Sequence, residues 1–323
     1  MNTFICKPFF EPNTEALRFL PEGPRVLQNF SQGGDPLLGW VAIQHTADVL
    51  RGSLNVLNLT TRTNQTFNLP GSPGFFAEST REGVVIVGLD RRFVLLDLTN
   101  GEVSETGITV TKDTRLLIND GIPIPGGLLF GTKHSDNIAA LYRFDCETRQ
   151  VIELVDKQTC SNGKFFQADD NGPTIIDIDS DPKTITNYRF NPTFTEPVAS
   201  SLIVAPESLQ AFPDGLRQSA DGLSIVVAFY DERAVEMGLA QEIRLSDGKV
   251  LSEWIVPGSP RVTCPEFVEL DGKVCLFFTT AVEGMDDEAR AMAPNGGTLF
   301  YAETSFNILP DAPPLVPIEP FLP

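Results

Sequence analysis

The segments LYRFDCETRQVIELV (141–155), IRLSDGKVLSEWIV (243–256) and RFVLLDLTNGEVSETGI (92–108) decide the fold, because all three contain the same unit. In each, an alternating apolar run leads into a polar turn, and a second run follows. This pattern is typical of two antiparallel strands joined by a hairpin. Units of this shape recur about every fifty residues and resemble the outer half of a four-stranded blade. About six such blades fit in the chain.

Short apolar runs elsewhere in the chain also predict strands, whereas helical periodicity is rare. The runs lie at 39–44, 52–61, 82–89, 126–133, 173–180, 222–230, 273–281 and 297–304. One helix is predicted at 285–292, where acids fill the first turn and Pro294 follows the last. A sandwich would need fewer strands, and a parallel barrel would need many helices. The sequence therefore predicts an all-β, six-bladed propeller of four-stranded antiparallel blades with one short helix.

The domain organisation follows from the closed ring, which leaves no blade free to form a separate unit. A single domain is predicted over residues 1–310. The first strands after Met1 are expected to complete the final blade beside 297–307. The tail DAPPLVPIEPFLP (311–323) contains too much proline for a strand and is predicted to lie on the surface.

The charge balance limits the choice of partners. The chain has 323 residues, with 24 Lys and Arg against 43 Asp and Glu, for a net charge of −19. Such a field repels phosphate backbones and anionic lipids, so nucleic acid and membrane surfaces are excluded as partners. Five widely spaced cysteines form no CxxC pair, which favours free thiols in a reducing compartment. Without a secretion signal or an apolar span, a cytoplasmic location is expected.

Histidine-based chemistry has little support in the sequence, which contains only two histidines. No G-x-S-x-G elbow, H-E-x-x-H pair, P-loop or dinucleotide fingerprint is present. An enzyme with this sequence must therefore work with carboxylates and other oxygen ligands.

Four short polar strings, each next to a strand, supply such oxygens. They are Pro21-Glu22-Gly23-Pro24, Asn119-Asp120-Gly121, Ser161-Asn162-Gly163 and Pro213-Asp214-Gly215. Each string alone signals only a turn. Together they occupy separate repeats, and the innermost strands of a propeller converge on a central channel. The carboxylates of Glu22 and Asp214 and the amide oxygen of Asn162 would then form a site for one divalent cation: calcium, magnesium, manganese, zinc or iron(II).

The same strings carry a resemblance to a known family. They are EGP (22–24), NDG (119–121) with GLLFGT (127–132), SNG (161–163), PDGL (213–216) and TTAVEGMDDEARAMAPNGGTLFYAE (279–303). With these motifs in order, the chain resembles the senescence marker protein (regucalcin)/gluconolactonase/luciferin-regenerating enzyme family. The resemblance implies a six-bladed propeller with one bound divalent ion.

The resemblance also implies roles for individual residues. Glu22, Asn162 and Asp214 correspond to the metal ligands. Asn119 and Asp120 correspond to substrate contacts, with a further acidic contact near Asp136. Asn119 would orient the ring oxygens, and Asp214 would act as general base or only as ligand. Family members often have an arginine two residues before the asparagine. This chain has Leu117 there, which permits a less polar substrate.

The predicted function is a metal-dependent hydrolase that opens a small lactone or ester, in a monomer or weak homodimer. The cation would polarise the carbonyl and activate water. Two alternatives remain open: a non-catalytic calcium-binding propeller, and a hydrolase of the organophosphate or luciferin-regenerating type. A strictosidine-synthase-like protein would lack the metal carboxylates, so Glu22 and Asp214 argue against that relationship.

Overall fold

The computed structural model describes residues 1–46 and 49–322, and its regular structure is almost entirely β. Six separate sheets contain the strands, and five of the sheets have four strands. The chain begins with β1 (Asn2–Ile5), β2 (Lys7–Phe10) and the short helix α1 (Glu15–Arg18). After α1 each sheet is built from consecutive strands. This arrangement confirms the predicted six-bladed propeller.

The strands of each blade follow one another from the axis outward, because the first strand of each blade contacts the first strands of its neighbours. Blade 1 contains β3 (Leu20–Val26), β4 (Leu37–Thr46), β5 (Val49–Asn58) and β6 (Asn64–Leu69). Blade 2 contains β7 (Pro73–Glu78), β8 (Val84–Leu89), β9 (Arg92–Asp97) and β10 (Val103–Thr109). Blade 3 contains β11 (Leu117–Ile124), β12 (Gly127–Lys133), β13 (Ala139–Asp145) and β14 (Gln150–Gln158).

The second half of the chain repeats this order. Blade 4 contains β15 (Ser161–Asp169), β16 (Gly172–Asp179), β17 (Thr184–Phe190) and β18 (Pro197–Leu202). Blade 5 contains β19 (Phe212–Gln218), β20 (Ser224–Tyr230), β21 (Met237–Arg244) and β22 (Val250–Pro257). Blade 6 contains β23 (Val262–Leu270), β24 (Lys273–Thr280), the helix α2 (Asp287–Met292) and β25 (Leu299–Glu303).

The N-terminal strands close the ring. Strand β2 pairs antiparallel with β25 and forms the outer edge of blade 6, as the sequence predicts. Strand β1 instead pairs in parallel with β22, so blade 5 has five strands. The segment before Cys6 therefore joins a different blade from the one expected. Strand β2 therefore ties blade 6, the last in the chain, to the segment that leads into blade 1, and the innermost strands β23 and β3 of these two blades lie in contact.

The core lies between the blades, where apolar side chains from adjacent sheets interdigitate. Every residue of β8 is buried, and Phe75, Phe93, Phe130 and Phe144 form an aromatic cluster between blades 2 and 3. Such rings gain roughly 1 kcal/mol per favourable pair beyond simple burial. Phenylalanine therefore serves mainly to fill the space between blades.

Helical structure is limited to short segments, and none of the described helices is long and apolar enough to cross a membrane. Helix α2 lies inside the predicted range 285–292, with the Asp286 side chain accepting a hydrogen bond from the Ala289 amide at 2.9 Å. Helix α1 was not expected. It has a single turn, which is too short to produce a periodic sequence signal.

The prediction that the tail 311–323 lies on the surface is wrong for its second half. Val316, Ile318 and Phe321 are buried and pack into the cluster between blades 2 and 3. The amide of Val316 donates to the Glu78 carbonyl at 2.9 Å, at the end of β7. Prolines prevent a long strand, but the apolar residues between them still remove their side chains from water.

Candidate functional site

The polar strings lie inside the innermost strands, not in turns beside them. The strand register shifts between Glu22 and Arg25 in β3, and between Pro213 and Leu216 in β19. Equivalent shifts occur at 118/121 in β11 and at 161/164 in β15. A β-bulge bends the strand locally and redirects a side chain, which places these polar groups at the axis. Asn, Asp and Gly residues that signal a turn when each string is taken singly therefore form bulges in these strands.

Three carboxylates from blades 1, 3 and 5 interact at this level of the channel. Burial raises the pKa of Glu22, and the negative charges of Asp214 and Asp120 raise it further. Burial also raises the pKa of Asp214, and the charge of Asp120 adds to that effect. Asp120 and Asp214 are buried, while Glu22 is partly exposed. The cluster is thus an acidic site that is buried at Asp120 and Asp214 and partly open to solvent at Glu22.

Two carboxylate oxygens of this cluster have no hydrogen-bond donor among the described residues. They are Asp120 Oδ2 and Asp214 Oδ1, and both are buried. A buried polar atom without a partner costs about 1–3 kcal/mol. Asp120 Oδ2 lies 3.9 Å from the Lys164 ammonium group, which offsets part of its charge. Carboxylate oxygens are ligands that a hard divalent ion prefers, but no group of three or more His, Cys, Asp and Glu side chains among the described residues is arranged to hold a metal ion.

Asn162 joins the cluster from blade 4. Its Nδ2 donates to Ser180 Oγ at 3.1 Å, and that hydroxyl donates to the Pro213 carbonyl at 2.8 Å. This relay links Asn162 to the residue preceding Asp214. A hydrogen bond from Asn162 also counteracts part of the rise in the pKa of Asp214 caused by burial and Asp120. The structure thus brings Glu22, Asp120, Asn162 and Asp214 together.

Asn119 lies beside the cluster, while Asp136 lies apart from it. Asn119 is buried, and its Nδ2 donates to the Ser161 carbonyl at 3.2 Å and to Cys160 Sγ at 3.5 Å. Asp136 follows β12 in an exposed loop, with its side chain 66% exposed and 3.8 Å from His134 Nδ1. Its charge is not among those that act on Glu22 or Asp214.

Two groups at the site were missed in the sequence. Lys133 ends β12, and its positive charge opposes the effects of burial on the pKa of both Glu22 and Asp214. Cys160 forms an isolated β-bridge with Lys133 and lies beside Asn119. Its residue is partly exposed, and the burial of its thiol raises the pKa to about 12. Nothing in the local sequence marks either residue, since both reach the site through pairing between blades 3 and 4.

The fold and the cluster together define a six-bladed propeller with an acidic site on its axis. Residues 20–282 match the family model described as SMP-30/Gluconolactonase/LRE-like region. The chain belongs to this family. The match ends before the helix α2 and the tail, which lie outside it.

Individual proteins similar to the chain include enzymes and a calcium-binding protein. A protein of Bacillus subtilis (strain 168) named "Putative sugar lactone lactonase YvrE" is 23% identical over 260 residues, covering 79% of this chain and 85% of its own length. The calcium-binding protein regucalcin of Agrobacterium tumefaciens has a TM-score of 0.75 and 19% identity, covering 97% of this chain and 100% of its own. A luciferin-regenerating enzyme has a TM-score of 0.75 and 17% identity, over 96% and 100% of the two chains. At these identities the two structures show a shared fold.

Proposed function

We propose that this protein is a lactonase that requires one divalent cation and opens a small cyclic ester. The observation that carries the proposal is the mutual repulsion of Glu22, Asp120 and Asp214 in the axial cluster, where Asp214 Oδ1 is buried and has no hydrogen-bond donor among the described residues. Membership of the family and the similarity to a protein named as a sugar lactone lactonase support the reaction class.

Glu22, Asn162 and Asp214 would hold the cation. All three offer oxygen atoms, which calcium, magnesium, manganese, zinc and iron(II) accept to different degrees. When bound, such an ion stabilises negative charge that develops on a substrate carbonyl oxygen and makes water more acidic. The ion would also reduce the repulsion among Glu22, Asp120 and Asp214, which is strongest when the site holds no cation.

Asn119 and Asp120 would bind the substrate from blade 3. The side-chain Nδ2 of Asn119 donates to the Ser161 carbonyl, so the side-chain oxygen Oδ1 of Asn119 is the group that would meet a substrate hydroxyl. Leu117, at the start of β11, would add an apolar side chain to this wall and would favour a substrate with fewer hydroxyls than an aldonolactone. Asp136 would bind substrate only if its exposed loop moved towards the axis, so we rank it below the other contacts.

Asp214 would receive the proton from the attacking water. Burial and the charge of Asp120 raise the pKa of its carboxyl, and a carboxylate with a raised pKa is a better proton acceptor. Sharing the carboxylate with a cation lowers its basicity, so Asp214 acts first as a ligand and second as a base. Oδ1 is the oxygen that has no other hydrogen-bond partner among the described residues.

A calcium-binding propeller without catalytic activity is the second candidate. It is favoured by a donor set that contains only oxygen atoms, the ligands that calcium prefers. This candidate predicts selectivity for calcium and no turnover of any ester.

The deciding experiment combines elemental analysis of the purified protein with a pH-stat screen of sugar and aliphatic lactones. We expect bound divalent metal, lactone hydrolysis, loss of activity after EDTA treatment, and recovery on addition of manganese, zinc or calcium. Activity that survives complete metal removal would refute the metal requirement. Tight calcium binding without hydrolysis of any lactone would favour the second candidate.

A further inference from the structure

A layer of cationic side chains lies directly after the site residues along the innermost strands. Arg25 follows Glu22 by three positions, Arg217 follows Asp214 by three, and Lys164 follows Asn162 by two. Arg25 and Arg217 are partly buried, whereas the side chain of Lys164 is completely buried. A fully buried lysine is rare unless several acceptors surround its ammonium group.

Four oxygen atoms surround the Lys164 ammonium group. Nζ donates to the Asp120 carbonyl at 3.1 Å and to the Asn162 carbonyl. It also lies 3.9 Å from Asp120 Oδ2 and 3.9 Å from Asp177 Oδ1. Asp177 is itself fixed, because it accepts hydrogen bonds from Gln158 at 2.6 Å and from Ser161 at 2.9 Å. Lys164 therefore joins blades 3 and 4 beneath the acidic cluster.

The bulges explain why these carbonyls need a donor. Asp120 lies inside the register shift of β11, and Asn162 lies inside the shift of β15. Residues in a bulge lose their regular ladder partner, and a buried carbonyl without a partner is costly. Arg217 donates in the same way to the Pro24 carbonyl of blade 1 at 2.8 Å. Arg25 donates to the Gly121 carbonyl of blade 3 at 3.1 Å.

We propose that Lys164 is a positioning residue for the cation site, because its ammonium group fastens the two bulges that present Asp120 and Asn162. The inference rests on the proposed function in that it requires the cluster to bind a divalent ion. Two effects of Lys164 have opposite signs. As a nearby positive charge it repels the cation, whereas as a tether it keeps the proposed ligand Asn162 and the neighbouring Asp120 in place. We infer that the tether dominates.

The test compares Lys164→Met with the wild-type chain by isothermal titration calorimetry, using CaCl₂ and MnCl₂ on metal-free protein. We expect metal binding to weaken by roughly tenfold or more, which is the loss typical when a partner of a metal ligand is removed. If Lys164 acted only through its charge, Lys164→Met would bind the metal ion more tightly, because the variant lacks the positive charge that repels the ion. Equal or tighter binding by a folded Lys164→Met protein would overturn the proposal.

Lys164→Arg and Lys164→Gln keep the test decisive if the methionine variant does not fold. Both retain N–H donors for the two carbonyls, so we expect metal affinity in each to lie closer to the wild type than in Lys164→Met. If only these two variants fold, a metal affinity in Lys164→Gln above that of the wild type would contradict the proposal that Lys164 acts mainly as a tether. Lys273→Met is the matched control, since Lys273 is 60% exposed and pairs with Glu303 on blade 6. Failure of the wild-type chain to bind either metal would count against the proposed function instead.

Discussion

Gly163 lies directly against the backbone of Asp214. A Cβ atom at position 163 would stand 2.6 Å from the Asp214 carbonyl oxygen and 2.5 Å from the Leu216 amide nitrogen. Both distances are far inside van der Waals contact, and backbone atoms cannot move aside as a flexible side chain can. The glycine therefore allows blades 4 and 5 to approach each other at the level where Asn162 and Asp214 meet.

Gly163→Ala should cause a large loss of cation affinity but only a modest loss of folding stability. The added methyl group would push β15 away from β19 and separate two ligands on neighbouring blades. Overpacking of this kind costs about 1–3 kcal/mol of stability. We expect a modest fall in melting temperature and a large loss of Mn²⁺ affinity, measured by calorimetry on the same preparation.

Gly127→Ala is the control for general overpacking. Its Cβ would lie 2.0 Å from the Phe144 carbonyl oxygen, also a backbone atom, at the end of β12 opposite Lys133. This variant should lose stability but keep its metal affinity. Equal metal affinity in both variants would show that the contact between Gly163 and Asp214 does not set the geometry of the site.

Much of the fold could be predicted because its signals are local. The hairpin of β13 and β14 is visible in LYRFDCETRQVIELV through alternation and a polar turn, and five other blades repeat the pattern. The parallel pairing of β1 with β22 was not visible. It joins residues about 250 positions apart, and an edge strand of four residues has no pattern that specifies its partner.

The site was predictable only in part, for a similar reason. The strings around Glu22, Asn162 and Asp214 are polar interruptions in apolar strands, which marks them, and ring closure implies that they converge. Whether Asn-Gly or Asp-Gly forms a turn or a bulge depends on the strand that pairs with it. The bulges therefore could not be recognised from the polar strings alone. Lys133 and Lys164 look like ordinary surface lysines in the sequence, and only the contacts between blades bring them to the axis.

Asp214→Ala and Asn162→Ala should each abolish metal retention and lactone turnover. Each change would remove one of the proposed oxygen ligands, so we expect losses above the roughly 100-fold that an outer partner of a ligand can cost. The measurements are metal content after gel filtration and hydrolysis rate in the pH-stat. Asp231→Ala is the control, since Asp231 is similarly buried on blade 5 but pairs with Arg233. Full activity of either site variant in the presence of a chelator would disprove the assignment.

Metal binding should weaken as the pH falls, beginning above the pH range in which an ordinary carboxyl titrates. Burial and mutual repulsion raise the pKa of Glu22 and of Asp214, so below that raised pKa the metal-free cluster binds a proton that the cation must displace. The apparent affinity then falls by up to about tenfold per pH unit for each proton released. Calorimetry in buffers of different ionisation enthalpy counts the protons that metal binding releases, and a release of none would contradict the coupling.

The same shifts determine how the stability of the metal-free protein depends on pH. A carboxyl whose folded pKa lies above its unfolded value binds protons more tightly in the native state. Its contribution to stability is present at low pH and is lost as the pH rises through the folded pKa. Metal-free protein should therefore gain more stability from added cation at pH 8 than at pH 5. Thermal unfolding with and without MnCl₂ at both values measures the difference, and an equal gain would be contrary to expectation.

Phe321→Ala should destabilise the protein without affecting metal binding. Phe321 is fully buried, with its ring centroid 5.0 Å from that of Phe144 and 5.9 Å from that of Phe93. Removing a buried phenylalanine ring typically costs about 3–5 kcal/mol.

That cost cannot exceed the free energy with which the tail docks, because the tail can detach while the ring of blades stays closed. Deletion of residues 311–323 measures that upper limit, so it should lose at least as much stability in urea unfolding as Phe321→Ala does. Ile308→Ala, at a side chain that is 71% exposed, should change neither stability nor Mn²⁺ affinity. If Phe321→Ala unfolded at the wild-type urea concentration, the buried half of the tail would contribute nothing to holding blades 2 and 3 together.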